Sequence, residues 1–212
     1  MKNIPFFTTQ FGVAALTLRE MPYQGKAYIK ILDTQEPEQL LKECVDFCRA
    51  VGADEIFASG HEFLEKYPLH TALWLMRCSA LSIGDTPASL WPVQEETVSQ
   101  FRRIYNEKAK NLPNSVWMDD AEEKTMLKHG DGYFVHKDGT LLGIGRVKGE
   151  EIRFLASVQP GAGEDVVRAL AHATTGDYIM LEVASANRKA IALYSRLGFI
   201  KTAELSAWYK IK

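Results

Sequence analysis

The 212-residue chain is short of cysteine, has no long apolar run and carries almost no charge imbalance, and each shortage removes a class of function. Its three cysteines are Cys44, Cys48 and Cys78. The first two stand in a helical pattern, and no second cysteine pair or nearby histidine completes a zinc set. They read as buried or half-buried free thiols, as expected in a reducing cytoplasm. The histidines, His61, His70, His129, His136 and His172, form neither an H-x3-H nor an HExxH pair, which argues against a metal site. No apolar stretch could span a bilayer. The N-terminal FGVAALTL follows one lysine and lacks a small-residue cleavage site, which favours a β-strand over a signal peptide. With a formal net charge of -2, nothing global draws the chain to nucleic acid or an anionic membrane. No phosphate-loop lysine spacing and no G-x-S-x-G elbow is present; GIGRVKG (143–149) reads as a bent strand.

What is present is ordinary for a globular protein able to bury a core: 46% hydrophobic and 25% charged residues. Strand-like FGVAALTLRE (11–20), a turn at PYQG and strand AYIKILD (27–33) come first. EPEQLLKECVDFCRAVG follows as a helix over about 37–52, with Leu40, Leu41, Cys44, Phe47 and Cys48 on one stripe. Strand DEIFASG, a short helix around HEFLEKY and strand TALWLMRCSAL lead to SIGDTPAS (82–89). That stretch is polar and turn-rich, which marks it as a linker between domains at 1–85 and 86–212. Then come strand SLWPVQ, a helix over QEETVSQFRRIYNEKAKN and another over about 119–129. The helix over QEETVSQFRRIYNEKAKN is expected to hold acids in its first turn and bases in its last. GYFVHKDGTLLGIGRVKGEEIRFLASV alternates like three antiparallel strands, with Asp138-Gly139 as a hairpin turn. A helix (163–174), strand DYIMLEV, a second helix and a last strand close the chain.

The halves echo each other. A shift of 123 residues places Ile29 on Ile152, Leu32 on Leu155, Pro37 on Pro160 and DEIF (54–57) on DYIM (177–180). Either an internal duplication or a coincident α/β rhythm produces such a pattern. The second half has NRKAIALYSRLGF where the first has only HEFLEKYPLH.

That extra segment carries the sharpest signal. Val183-x3-Asn187-x2-Ala190-x3-Tyr194-x2-Leu197-Gly198-Phe199 follows a strand ending in Glu182-Val183. It resembles the closing motif of the GNAT-family N-acetyltransferases, a strand ending in "EV" followed by N-x2-A-x3-Y-x2-LGF. The element order over the C-terminal 120 or so residues fits that family as well. The resemblance implies an α/β (α+β) fold: a mixed, mainly antiparallel central sheet with a splayed parallel strand pair and flanking helices. The first half would be a smaller, degenerate half-GNAT-like α/β unit.

By the same resemblance, acetyl-CoA lies in the splay between LASV and DYIMLEV, with no metal. Its carbonyl would meet a backbone N–H near Ser157 or Val158. Its diphosphate would be cradled by Gly161, Ala162 and Gly163, where a helix N-terminus offers unpaired donors. The loop departs from the family pattern, because its glycines follow Pro160 at once and no Arg or Gln precedes them. Glu164 and Asp165 stand where diphosphate favours positive charge, leaving Arg168 or Arg188 as counter-charges. Tyr194 is implied to protonate the departing thiolate, and plain packing is the alternative for it. Asn187 would hold the pantetheine arm or cap the helix. Glu150 or Glu151, beginning EEIRFLASV, would deprotonate the acceptor amine, or be solvated acids at a hairpin end.

The expected function is acetyl transfer from acetyl-CoA to an amine of a small molecule or peptide by direct attack. The alternative is a catalytically weak GNAT-like module that binds acyl-CoA or another ligand as a sensor. A hydroxyl acceptor is a third reading. Neither nucleic acid nor membrane is an expected partner, and monomer and homodimer both remain open.

Overall fold

A computed structural model describes residues 6–18, 21, 25–110 and 117–212. Its chain divides into two units, Met1–Leu73 with Glu204–Lys212, and Trp74–Ala203. Beyond Gly25, the PYQG turn expected near the N-terminus lies outside the described residues, as do positions 19 and 20 of the strand-like run before it.

The first unit contains β1 (Phe6–Thr9), β2 (Gly12–Thr17), β3 (Lys26–Thr34), helix α1 (Pro37–Ala50) and β4 (Glu55–Ser59). A 3-10 turn at Glu62–Lys66 precedes β5 (Leu69–Ser79), and the end of β11 (Ile200–Lys210) returns here. Strands β1, β2 and β3 are antiparallel, β3 and β4 are parallel, and β11 pairs antiparallel with β4. Pro37 starts α1, its missing N–H costing nothing at that position. The buried stripe is Leu40, Leu41, Cys44, Val45 and Cys48. Phe47, expected on that stripe, is 38% exposed and its ring meets Phe7 at 5.2 Å. Val45 fills the place, because a helix of 3.6 residues per turn brings 41, 45 and 48 into line.

The second unit contains β6 (Ser89–Pro92), α2 (Val98–Ala109), α3 (Asp120–His129), β7 (Gly132–Lys137), β8 (Thr140–Lys148) and β9 (Glu151–Ser157). Then come α4 (Gly163–Ala171), β10 (Tyr178–Ala184) and α5 (Arg188–Arg196). Its strands lie in the order β5-β10-β9-β8-β7-β6. The β7–β8 turn has positive φ at both Asp138 (49°) and Gly139 (75°), the backbone of a two-residue hairpin. Strand alternation sorts the side chains into two layers. Val135, Val147, Ile152, Ile179, Leu181 and Val183 pack with α4 and α5. Phe134, Ile144 and Phe154 pack with α2 and α3.

Two expectations change, and the strand expected over GIGRVKG is found. Helix α2 begins at Val98, so Glu95 and Glu96 precede its first turn, which holds no acid. GIGRVK (143–148) lies in β8, and Gly143 and Gly145 clear a path for α4. A Cβ on Gly145 would meet Leu170 Cδ1 at 2.2 Å, and one on Gly143 would meet Val166 Cγ2 at 2.6 Å. SIGDTPAS is no linker. Ile83 is 3% exposed in the core, its carbonyl accepts from Arg168, and Thr86 donates to Asp165 at 2.9 Å. The chain instead divides at Leu73/Trp74, within β5, and its last strand rejoins the first unit. A turn-rich composition describes local backbone; packing decides whether the turn is a boundary.

The echo between the halves extends to register. Tyr28 faces Phe57 in the first unit, and the 123-residue shift carries that pair onto Glu151 facing Met180.

Candidate active site

The parallel pair is where the units differ. In the first, β3 and β4 are in register over five pairs, from Lys26↔Glu55 to Lys30↔Ser59. In the second, the register holds only at Glu151↔Met180 and Ile152↔Leu181, with the Met180 N–H donating to the Glu150 carbonyl at 2.8 Å. Strand β9 then continues to Ser157 and β10 to Ala184 without further pairing between them. The Val158 N–H donates to the Leu142 carbonyl on β8 at 2.8 Å. It is therefore committed, and of the two residues expected to meet a thioester carbonyl only Ser157 keeps its N–H available. Alternation turns the Ser157 backbone to the opposite edge, towards β10. An extended ligand with amide groups can complete such an edge as another strand would.

The opening runs into the loop before α4. Gly161 has φ 82°, a left-handed conformation suited to glycine. Ala162 is the N-cap of α4 and has no side chain to satisfy the first-turn amides, which leaves those donors for a ligand. A Cβ on Gly163 would lie 3.0 Å from Leu193 Cδ2, so glycine lets this turn seat closely against α5. The two acids of the turn are partnered. Arg168 donates to Glu164 at 2.8 and 3.1 Å. Asp165 accepts from Thr86 at 2.9 Å and pairs with Lys137 at 3.4 Å. Two carboxylates and two cations cancel at close range, removing most of the repulsion expected for a diphosphate. Arg168, which also holds the Ile83 carbonyl, is part of this scaffold rather than a spare counter-charge. Arg188, at the start of α5, is exposed.

Helix α5 positions the motif residues. Asn187 is its N-cap, and its side-chain oxygen accepts from the Ala190 N–H at 3.2 Å. Gly198, at φ 88°, ends the helix, and the Phe199 N–H reaches back to the Tyr194 carbonyl at 3.0 Å. Tyr194 is 6% exposed in the core and tilted against Phe199, with ring centroids 5.8 Å apart. No hydrogen bond among the described residues engages its hydroxyl, and burial pushes its pKa up to about 12.

The two acids that open β9 part company. Glu150 lies along Gly176, where an added Cβ would fall 2.3 Å from its Oε1. Glu151 shares the sheet face of Met180, its register partner, and accepts from Arg153 Nε at 3.1 Å. The β8–β9 register shifts between Arg146 and Val147, with Arg153 as the extra residue. That bulge sets two residues of β9 against one of β8 and keeps Glu151 on the face of Phe154. Two residues beyond Met180 on this face stands Glu182, its pKa raised by partial burial and by the Glu151 charge. Sequence reading took Glu182 only as part of the "EV" motif. Its partnership with Glu151 depends on parallel register, which no local pattern carries.

On this same face Tyr105 of α2 packs on Phe154, with ring centroids 4.1 Å apart. Beside it, Tyr105, Met118, Glu122 and Arg146 line a cavity of about 200 Å³. Arg146 is held by Asp131 through bonds of 3.0 and 2.9 Å and lies 3.6 Å from Glu122. Among the described residues no group of His, Cys, Asp and Glu is placed to hold a metal ion, and no helix is long and apolar enough to cross a membrane.

The chain has the fold of solved GNAT N-acetyltransferases. Within it, residues 135–209 match the family model described as FR47-like protein. A GCN5-related N-acetyltransferase from Sphaerobacter thermophilus is 12% identical with a TM-score of 0.59, covering 94% of this chain and 76% of that one. A functionally unknown conserved protein from Staphylococcus epidermidis is 12% identical with a TM-score of 0.58, over 99% of this chain and 94% of that one. A tandem GNAT protein from the clavulanic acid biosynthesis pathway is 14% identical with a TM-score of 0.56, over 94% of this chain and 79% of that one. No curated protein matches the chain by sequence.

Proposed function

We propose that this chain is a cytoplasmic N-acetyltransferase that uses acetyl-CoA and acts on an amine of a small molecule or peptide by direct attack. The observation that carries the reading is the opened β9–β10 pair leading into the uncapped first turn of α4. Those features suit a ligand with an amide-bearing arm and a diphosphate. When bound, acetyl-CoA supplies the acyl group and a thiolate leaving group.

The protein's part is positioning and charge stabilisation. The Ser157 N–H is the donor for the carbonyl, and Gly161, Ala162 and Gly163 are the cradle for the diphosphate. Asn187 caps α5 through its oxygen and keeps its amide N–H₂ for the arm. Tyr194 is the hydrogen-bond donor to the thiolate. Full proton transfer from a phenol of pKa about 12 to a thiolate of ordinary pKa ~8.5 would be uphill by about 5 kcal/mol. Tyr194 thus acts mainly by hydrogen bonding as the bond to sulfur breaks. The acceptor must arrive as, or become, a free amine, since an alkyl ammonium has a pKa of ~10.4. Glu182, made more basic by its surroundings and by Glu151, is the group that takes this proton directly or through water. The cavity beside Tyr105 forms the acceptor end.

Thermal unfolding with and without acetyl-CoA tests the binding. A ligand at 100 times its Kd adds about 2.7 kcal/mol of apparent stability. Absence of any Tm shift at millimolar acetyl-CoA would refute the reading. Thiol release across amino acids, polyamines, aminoglycosides and peptide N-termini then identifies the acceptor. The burial of Tyr194, with no partner for its hydroxyl, favours a second reading: a module that binds acyl-CoA without turnover. A Tm shift with no thiol release from any acceptor is the result expected for it.

A further inference from the structure

A second cavity, of about 440 Å³, lies at the other side of this unit, against edge strand β6, strand β7 and the start of α2. None of its lining residues comes from β9, β10, α4 or α5, so it is separate from the proposed acetyl-CoA site. Its walls follow from register. Trp91 faces Phe134 and Ser89 faces His136 across the β6–β7 pair, which puts three aromatic rings on one face of the sheet. The Trp91 and His136 rings meet edge to face at 6.1 Å, and Phe134 and His136 lie 6.2 Å apart. Trp91 is 61% exposed, an unusual surface position for so large an apolar side chain.

The remaining wall is polar and carries one sign of charge. Gln94 and Gln100 contribute amides, and Asp138, at the hairpin turn, contributes the only carboxylate among the described lining residues. Asp138 has no ion-pair partner among the described residues. The neighbouring cation, Lys137, is turned to the other face of the sheet, where it pairs with Asp165.

Aromatic faces and a lone carboxylate attract the same kind of ligand. Ring quadrupoles favour a cation, and they favour one with apolar substituents, which loses little hydration on entering. A phosphate or carboxylate would meet Asp138 with no cation to offset it. A neutral apolar ligand would gain nothing from the carboxylate. We infer that this cavity is a binding site for an organic ammonium ion, with Trp91 and Phe134 as its aromatic walls and Asp138 as its counter-charge. The inference does not depend on the transferase reading: failure to bind acetyl-CoA would leave it intact.

Choline and its uncharged isostere 3,3-dimethylbutan-1-ol are the probes, titrated against the whole chain by ligand-observed NMR and tryptophan fluorescence. Saturable binding of choline is expected, with the isostere weaker by about tenfold or more, the range of a desolvated cation–π contact. Trp91→Ala and Asp138→Asn should each weaken choline by about tenfold while leaving any acetyl-CoA thermal shift unchanged. Both variants should fold, because Trp91 is mostly exposed and asparagine tolerates the positive φ of position 138. Absence of saturable choline binding, equal affinity for the isostere, or full binding by both variants would overturn the inference.

Discussion

Replacing Tyr194 by phenylalanine tests the buried phenol at the centre of the site, and its effect on stability can be worked out from the structure. The native state holds the Tyr194 pKa at about 12, against ~10 for tyrosine in an unfolded chain. Because the native pKa is the higher one, the neutral phenol is the form that folding favours. Its contribution is fully present below pH ~10 and is lost as the pH rises towards 12. At pH 11 the wild type should have lost about 1.4 kcal/mol on this account, and about 2.7 kcal/mol when both states are ionised. Tyr194→Phe cannot lose it. Urea denaturation of both proteins at pH 8 and pH 11 isolates this difference, because Tyr105, Tyr209 and the cysteines titrate alike in each. At pH 8 the two should agree within ~1 kcal/mol, since the hydroxyl removed has no partner to leave unsatisfied. Turnover should fall in the variant with little change in acetyl-CoA affinity. An equal loss of stability by both proteins at pH 11 would show that the Tyr194 phenol ionises as freely as in the unfolded chain. The burial argument would then be wrong.

Two further outcomes are expected. Burial pushes Cys44 up to about 12 and Cys48 and Cys78 up to about 11, so a disulfide reagent at pH 8 should leave the native protein unlabelled and titrate three thiols after denaturation. Rapid labelling of the folded protein would contradict the packing of α1 and β5. Asp131→Ala removes the closer of the two carboxylates beside Arg146, whose side chain is only 12% exposed, leaves Glu122 at 3.6 Å, and should destabilise the fold by about 1.5–3 kcal/mol in chemical denaturation. Recovery of part of that loss in the double variant with Arg146→Met would identify the stranded charge as its cause.

Much of the candidate site was legible because it rests on local chemistry. The segment from Asn187 to Phe199 announces itself through an N-cap residue, a helical apolar rhythm and a glycine stop, and each does what its type suggests. Pro37 begins a helix and Asp138-Gly139 makes a hairpin for equally local reasons. Phe47 and Val45 show where such reading weakens. Both are apolar and both fit a helix, and only the outline of the neighbouring sheet decides which one is covered. SIGDTPAS shows the same limit for domain boundaries, since its turn residues are compatible with a loop in solvent and with one pinned to α4.

By itself the sequence determined the order of elements, the glycine and proline positions that end and start them, and the motif on α5. These follow from φ preferences, capping and a period of 2.0 or 3.6, all of which act within a few residues. Tertiary structure alone decided that β9 and β10 part after two register pairs while β3 and β4 stay joined over five. It also decided that Glu164 and Asp165 are neutralised by partners from α4, β7 and the loop before β6, and that Glu151 stands with Glu182. Each of these depends on distant segments meeting in one register. Coulomb interactions and hydrogen bonds depend on distance in space, and nothing in the local order of residues encodes it.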